Sequence, residues 1–164
     1  LLGQLMAAYE MNAFKDEYQK AVIENAKHFA KCLAYEGLDV AGDAAMDYTE
    51  THQVIVKVGY AHGPEIADRL EANNIICNYQ ATPEEEGFSA SGALRMGVNE
   101  MTRFGFGKED FAKLAHLIAR CVLHNENVRE EVAKLRAEHL DMRYCFSDKD
   151  TEELLDSFAA ATGI

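Results

Sequence analysis

A single arginine inside an apolar run constrains this chain more than any other feature. The run Ala93-Leu-Arg-Met96 lies between Gly92 and Gly97. It is too short and too apolar to be a surface hairpin, so it reads as a strand of a packed sheet. A cation at Arg95 then needs an anionic partner, either an internal carboxylate or a ligand. Gly92 and Gly97 permit close backbone approach on both sides. After Asn99 the chain is predicted to turn through Thr102, Arg103 and Gly105 into an acidic helix start at Glu109 and Asp110.

The segments around this run alternate in period. From Leu2 to about Leu33 apolar residues such as Leu5, Tyr9, Phe14, Val22 and Phe29 recur at helical spacing, and Gly37 supplies a stop. That pattern is longer than most globular helices, which implies a helix crossing more than one body of structure, and it does not hold a heptad. Leu38 to Val40 and Ile75 to Tyr79 are short strand candidates. His52-Gln-Val-Ile-Val-Lys-Val58 is the clearest strand, with valines at every second position. Gly63-Pro64 opens a helix to about Ala72, with proline at the first helical position, and 83–87 is a solvated loop. Three helical patterns follow Gly107: Phe111 to Val122, Val128 to about Leu140, and a shorter one around Leu154, Leu155 and Phe158. Strands in the middle and helices at the ends give an α+β fold, a small mixed or antiparallel sheet covered by helices.

With 164 residues, 48% of them hydrophobic, the chain can bury one ordinary core. A formal charge of −12 argues against nucleic acid or an anionic membrane as partner, because both demand a basic surface. No apolar run approaches bilayer length. The opening Leu1-Leu-Gly-Gln-Leu reads as a helix already under way, which suggests a piece of a larger protein. Cys32, Cys77, Cys121 and Cys145 make no C-x-x-C pair and are expected to be reduced thiols of a cytoplasmic protein. The six histidines lack the spacing of a metal pair, so no metal site is expected. Gly105-Phe-Gly-Lys108 lacks the rest of a phosphate loop, and two acids follow it, so it reads as a helix entry.

Ser91-Gly-Ala-Leu-Arg-Met-Gly97 followed by Thr102-Arg-Phe-Gly105 resembles the carboxyl-terminal domain of serine hydroxymethyltransferases, pyridoxal-phosphate enzymes of the aspartate aminotransferase fold. The family pattern runs close to S-G-[IL]-R-[IV]-G-T-P-A-x-T-x-R-G. Arg95, Gly97, Thr102 and Gly105 keep its spacing. Val98-Asn99-Glu100 stands where the family has T-P-A, and one residue is added between Gly92 and Arg95.

The resemblance implies a parent enzyme that interconverts serine and glycine with pyridoxal phosphate and tetrahydrofolate. In it, Arg95 corresponds to the arginine that holds the α-carboxylate of the amino-acid substrate; an ordinary structural ion pair is the competing account. Asn78-Tyr-Gln-Ala-Thr-Pro83 resembles the family's N-K-N-x-x-P segment, which puts Gln80 where an asparagine contacts the pterin, although a plain loop amide fits as well. Thr49-Glu-Thr-His52 matches a landmark of the family and receives no catalytic role. Arg103 sits one position short of the family's second arginine, and an ion pair that orders the turn is the simpler reading. The family's Schiff-base lysine lies in a T-H-K context that is missing here, so Lys57 reads as a sheet-face lysine and no catalytic residue is expected in the chain. The implied organisation is an inter-domain helix over 1–36 and a small domain over 37–164. A large cofactor-binding domain of the same chain and a homodimer would complete it. A related pyridoxal enzyme or a non-catalytic interaction module are the alternatives.

Overall fold

The structure is a computed structural model that describes residues 2–85 and 90–163. Part of the expected loop at 83–87, and Ser89 before the arginine strand, lie outside the described residues. Helix α1 (Leu2–Tyr35) comes first, then β1 (Asp39–Val40), a 3-10 turn, and β2 (Gln53–Lys57). Helix α2 (Gly63–Ala72), β3 (Asn78–Gln80) and β4 (Ala93–Gly97) follow, and helices α3 (Asn99–Arg103), α4 (Lys108–His124), α5 (Arg129–Ala137) and α6 (Asp148–Thr162) close the chain. The four strands form one antiparallel sheet in the order β1-β2-β4-β3. The expected α+β class is therefore observed, in its antiparallel form.

Strand alternation sorts the sheet into two faces. Val54, Val56, Leu94 and Met96 point into the core, where Phe29 and Leu33 of α1, Leu70 of α2, and Phe111 and Ile118 of α4 complete one buried cluster. Gln53, Ile55, Lys57 and Arg95 stand on the opposite face. Helix α1 is split along its length. Its second half buries Val22, Ala26, Phe29 and Leu33, whereas only Met6, Glu10, Phe14 and Tyr18 of its first half are partly covered, at every fourth position.

Three local expectations shift. The strand anticipated at Ile75–Tyr79 begins at Asn78, because Ile75 closes α2 instead: its N–H donates to the Leu70 carbonyl at 2.9 Å and its side chain joins the core. Ile76 is left 86% exposed. The turn expected after Asn99 contains a one-turn helix, and Gly105 leaves it at a φ of 87°, a conformation that glycine adopts without strain. Finally α6 is longer than its three apolar positions suggested. Its start is fixed by reciprocal bonds, Asp150 N–H to Ser147 Oγ at 3.2 Å and Ser147 N–H to the Asp150 carboxylate at 3.0 Å.

The hinge between α1 and the segment after β4 is polar and buried. Asn25, 6% exposed, donates from Nδ2 to Thr102 Oγ1 and to the Phe106 carbonyl, both at 3.0 Å. Asn25→Ala leaves two buried acceptors unpaired and is expected to lower unfolding free energy by about 1–3 kcal/mol in urea denaturation. An unchanged midpoint would show that water replaces the amide without loss.

Candidate functional site

Arg95 lies in the middle of β4. In the register, Ile55 of β2 and Asn78 of β3 flank it on the same face. One step along, Ala93 is flanked by Lys57 and Gln80. The sheet thus brings Arg95 and Gln80 onto one surface in neighbouring rows, with Asn78 beside the arginine. Arg95 is half-buried, and its guanidinium makes no hydrogen bond or ion pair with a described residue. It opens into a cleft of about 340 Å³ that His52, Gln53, Asn78, Asn99 and Glu100 also line. A planar cation without a partner among the described residues, at a concave polar surface, is suited to receive an anion through two parallel N–H bonds.

The backbone around the cleft is held from several sides. Gly63 N–H donates to the Ser91 carbonyl at 2.7 Å, so the first turn of α2 sits directly against the approach to β4. A Cβ on Gly63 would collide with that carbonyl and lie 3.0 Å from Tyr79 Cβ. The Glu85 carboxylate accepts from Thr82 N–H at 2.7 Å and Gly92 N–H at 3.0 Å, which ties the loop after β3 to the start of β4. On the far side, Val98 N–H donates to the His52 carbonyl at 3.1 Å and the Tyr18 hydroxyl donates to the Asn99 carbonyl at 3.0 Å. Burial raises the Tyr18 phenol above its ordinary range, with Arg103 opposing.

The other sequence candidates find plain structural settings. Arg103 ion-pairs with Glu10 of α1, and its carbonyl accepts from Arg143 N–H at 2.6 Å, so it does order the turn. Lys57 is an ion-paired lysine of the sheet face, with Nζ 3.3 Å from Glu84 Oε1. Among the described residues no group of three or more His, Cys, Asp and Glu could hold a metal. The four cysteines are free. His52, Asn99 and Glu100 on the cleft wall were not singled out as site residues by the sequence. The signal was there: Asn99 and Glu100 are two of the three residues that stand where the family has T-P-A.

Cys77 stands on the rim of the same cleft, and burial pushes its thiol from 9.0 up to about 11. Its alkylation at pH 8 is expected to run about 100-fold slower than that of a free thiol, because the thiolate is the reacting species. The thiolate is favoured on unfolding, so Cys77 contributes stability that is complete below about pH 9 and is lost as pH rises towards 11. Rapid labelling at pH 8, followed by peptide mass spectrometry, would contradict this.

A family model described as serine hydroxymethyltransferase matches residues 4–118. Serine hydroxymethyltransferase of Pyrobaculum arsenaticum is 41% identical over 151 residues, covering 90% of this chain and 34% of that protein. The enzyme of Thermococcus gammatolerans is 38% identical over 154 residues, 89% of this chain and 36% of its own length. The crystal structure of L-threonine transaldolase from Pseudomonas fluorescens superposes with a TM-score of 0.78 at 27% identity, over 94% of this chain and 36% of that one. The chain thus spans about a third of the length of the curated relatives it matches. With the fold and the arginine motif in agreement, the chain belongs to the serine hydroxymethyltransferase family.

Proposed function

We propose that this chain is the carboxyl-terminal domain of a pyridoxal-phosphate-dependent serine/glycine hydroxymethyltransferase, and that it holds the substrate's α-carboxylate on Arg95. The observation that carries this reading is a guanidinium that no described residue pairs, at an open polar cleft. Gln80, on the same face one row along, is placed to offer an amide donor and acceptor to the tetrahydrofolate ring. Residues 1–36 act as the inter-domain helix, and residues 37–164 as the small domain. The half-covered first part of α1 supports that division, since such a stripe needs a second body to pack against.

Pyridoxal phosphate supplies the electron sink for bond cleavage at the substrate's α-carbon. This chain fits the substrate and not the cofactor. No lysine of this chain stands in the family's T-H-K context, and Lys57, the lysine on the cleft face, sits in a surface ion pair with Glu84. The covalent lysine is therefore assigned to a large domain of the same polypeptide, and the fragment alone is inactive. What the chain contributes is binding and orientation: Arg95 fixes the carboxylate, and the cleft wall shields it from water when the domains meet. No described helix is long and apolar enough to cross a membrane, and a cytoplasmic homodimer is the proposed setting.

A related pyridoxal enzyme that takes the same carboxylate but dispenses with folate is the second reading, favoured by the likeness to the transaldolase. Borohydride reduction with pyridoxal phosphate tests the division of labour. This chain is expected to give no stoichiometric adduct, and the full-length protein one adduct on a lysine outside it. A stoichiometric adduct at Lys57 would overturn the assignment.

A further inference from the structure

The Arg95 cleft holds a second charge that no described residue neutralises. Glu100, exposed on α3, lines the same cavity of about 340 Å³ and makes no ion pair with Arg95 or with any other described residue. Between the two lies Gly97, whose missing side chain leaves the floor of the cleft open: a Cβ there would come within 2.9 Å of Asn99 Oδ1. One cation and one carboxylate therefore face a common space and stay apart.

The backbone under each of them is held in place. Arg95 is held in the ladder between β2 and β3. Glu100 rides on α3, which α1 anchors through the Tyr18 bond to Asn99, the Glu10–Arg103 ion pair and the Asn25 bond to Thr102. Two opposite charges that line one cavity without pairing form a dipolar site, and its complement is a ligand with a negative and a positive end.

We propose that Glu100 is the second pole of the cleft, so that a small amino-carboxylate zwitterion is recognised at both ends, the carboxylate by Arg95 and the ammonium by Glu100. The proposal rests on the Arg95 reading above and adds a residue to it. Glu100 meets the free amino acid on arrival, before its amino group passes to the cofactor-bearing part of the enzyme. Because Glu100 is exposed, water screens the contact and its effect is small.

The test is titration of this chain at low ionic strength with glycine, acetate and methylamine, followed by NMR. Glycine is expected to bind about two- to fivefold more tightly than acetate. In Glu100→Gln that advantage disappears, because glycine loses its ammonium partner and acetate loses a repelling carboxylate and binds slightly more tightly. Glu109→Gln, which removes an equal charge outside the cleft, keeps it. If glycine and acetate bind alike, or if Glu109→Gln erases the difference as fully as Glu100→Gln does, the role of Glu100 is overturned and that of Arg95 stands. If acetate binding does not respond to Arg95→Lys, the carboxylate reading fails and takes this proposal with it.

Discussion

Arg95→Lys is expected to weaken amino-acid binding by the full-length enzyme at least tenfold, and Arg95→Ala by up to about 100-fold, with little change in folding stability. The size follows from the bond. A charge-assisted, bidentate guanidinium–carboxylate pair contributes about 1.5–3 kcal/mol, or roughly one to two decades in affinity, and lysine keeps the charge but loses the fork. Stability is spared because Arg95 has no described protein partner whose loss would leave a buried charge behind. The substitution should move the unfolding midpoint by no more than about 0.5 kcal/mol equivalent. That combination separates a ligand-binding arginine from a structural one. An arginine locked to an internal acid would show the reverse, with stability falling and substrate affinity nearly unmoved. Glycine titration and urea denaturation of the same variants read both quantities.

Phe111→Ala is expected to lower unfolding free energy by about 3–5 kcal/mol, the largest effect of any single truncation considered for this chain. Phe111 is 1% exposed at the meeting point of α1 and α4. Its ring lies 5.3 Å from that of Phe29 and 5.5 Å from that of Phe106. Removing it opens a cavity that three elements share and that none can close alone. Because a domain's whole stability is about 5–15 kcal/mol, the variant should populate the unfolded state in mild denaturant. Phe158→Ala is the control. That ring is 45% exposed on α6 and should matter little in this chain. Equal midpoints for the two variants would mean that the Phe29–Phe106–Phe111 cluster is not the core's keystone.

The parts of the fold legible in the sequence are those where local period and burial agree. Alternating valines marked β2, and Gly63-Pro64 marked the start of α2, although Gly63 is its first helical residue and the proline sits one place further in. The long apolar stripe gave α1. The misplaced strand at Ile75 has a physical reason: an apolar pair after a helix reads equally as strand or as helix closure, and only the core contact of Ile75 decides. Helix α3 was illegible for a related reason. Its five residues have no periodic face to detect, and its bonds run to residues far away in sequence, such as Tyr18 and Asn25.

For the cleft, the sequence could point to Arg95 and Gln80 but could not place them in adjacent rows of one face. That relation depends on the antiparallel register of β3 on β4. Nor could it show that the residues replacing the family's T-P-A supply two of the cleft's polar side chains. Lys57 illustrates the converse. Spacing put it on the right face, and only the Glu84 pair shows that its ammonium is already engaged.

The claim on which the functional account rests is that Arg95 receives the substrate's carboxylate. A crystal structure of the full-length protein with glycine tests it most directly. The account predicts both carboxylate oxygens at about 2.7–2.9 Å from two nitrogens of the Arg95 guanidinium. A glycine carboxylate held by other residues, with Arg95 turned to solvent or paired with an internal acid, would contradict it.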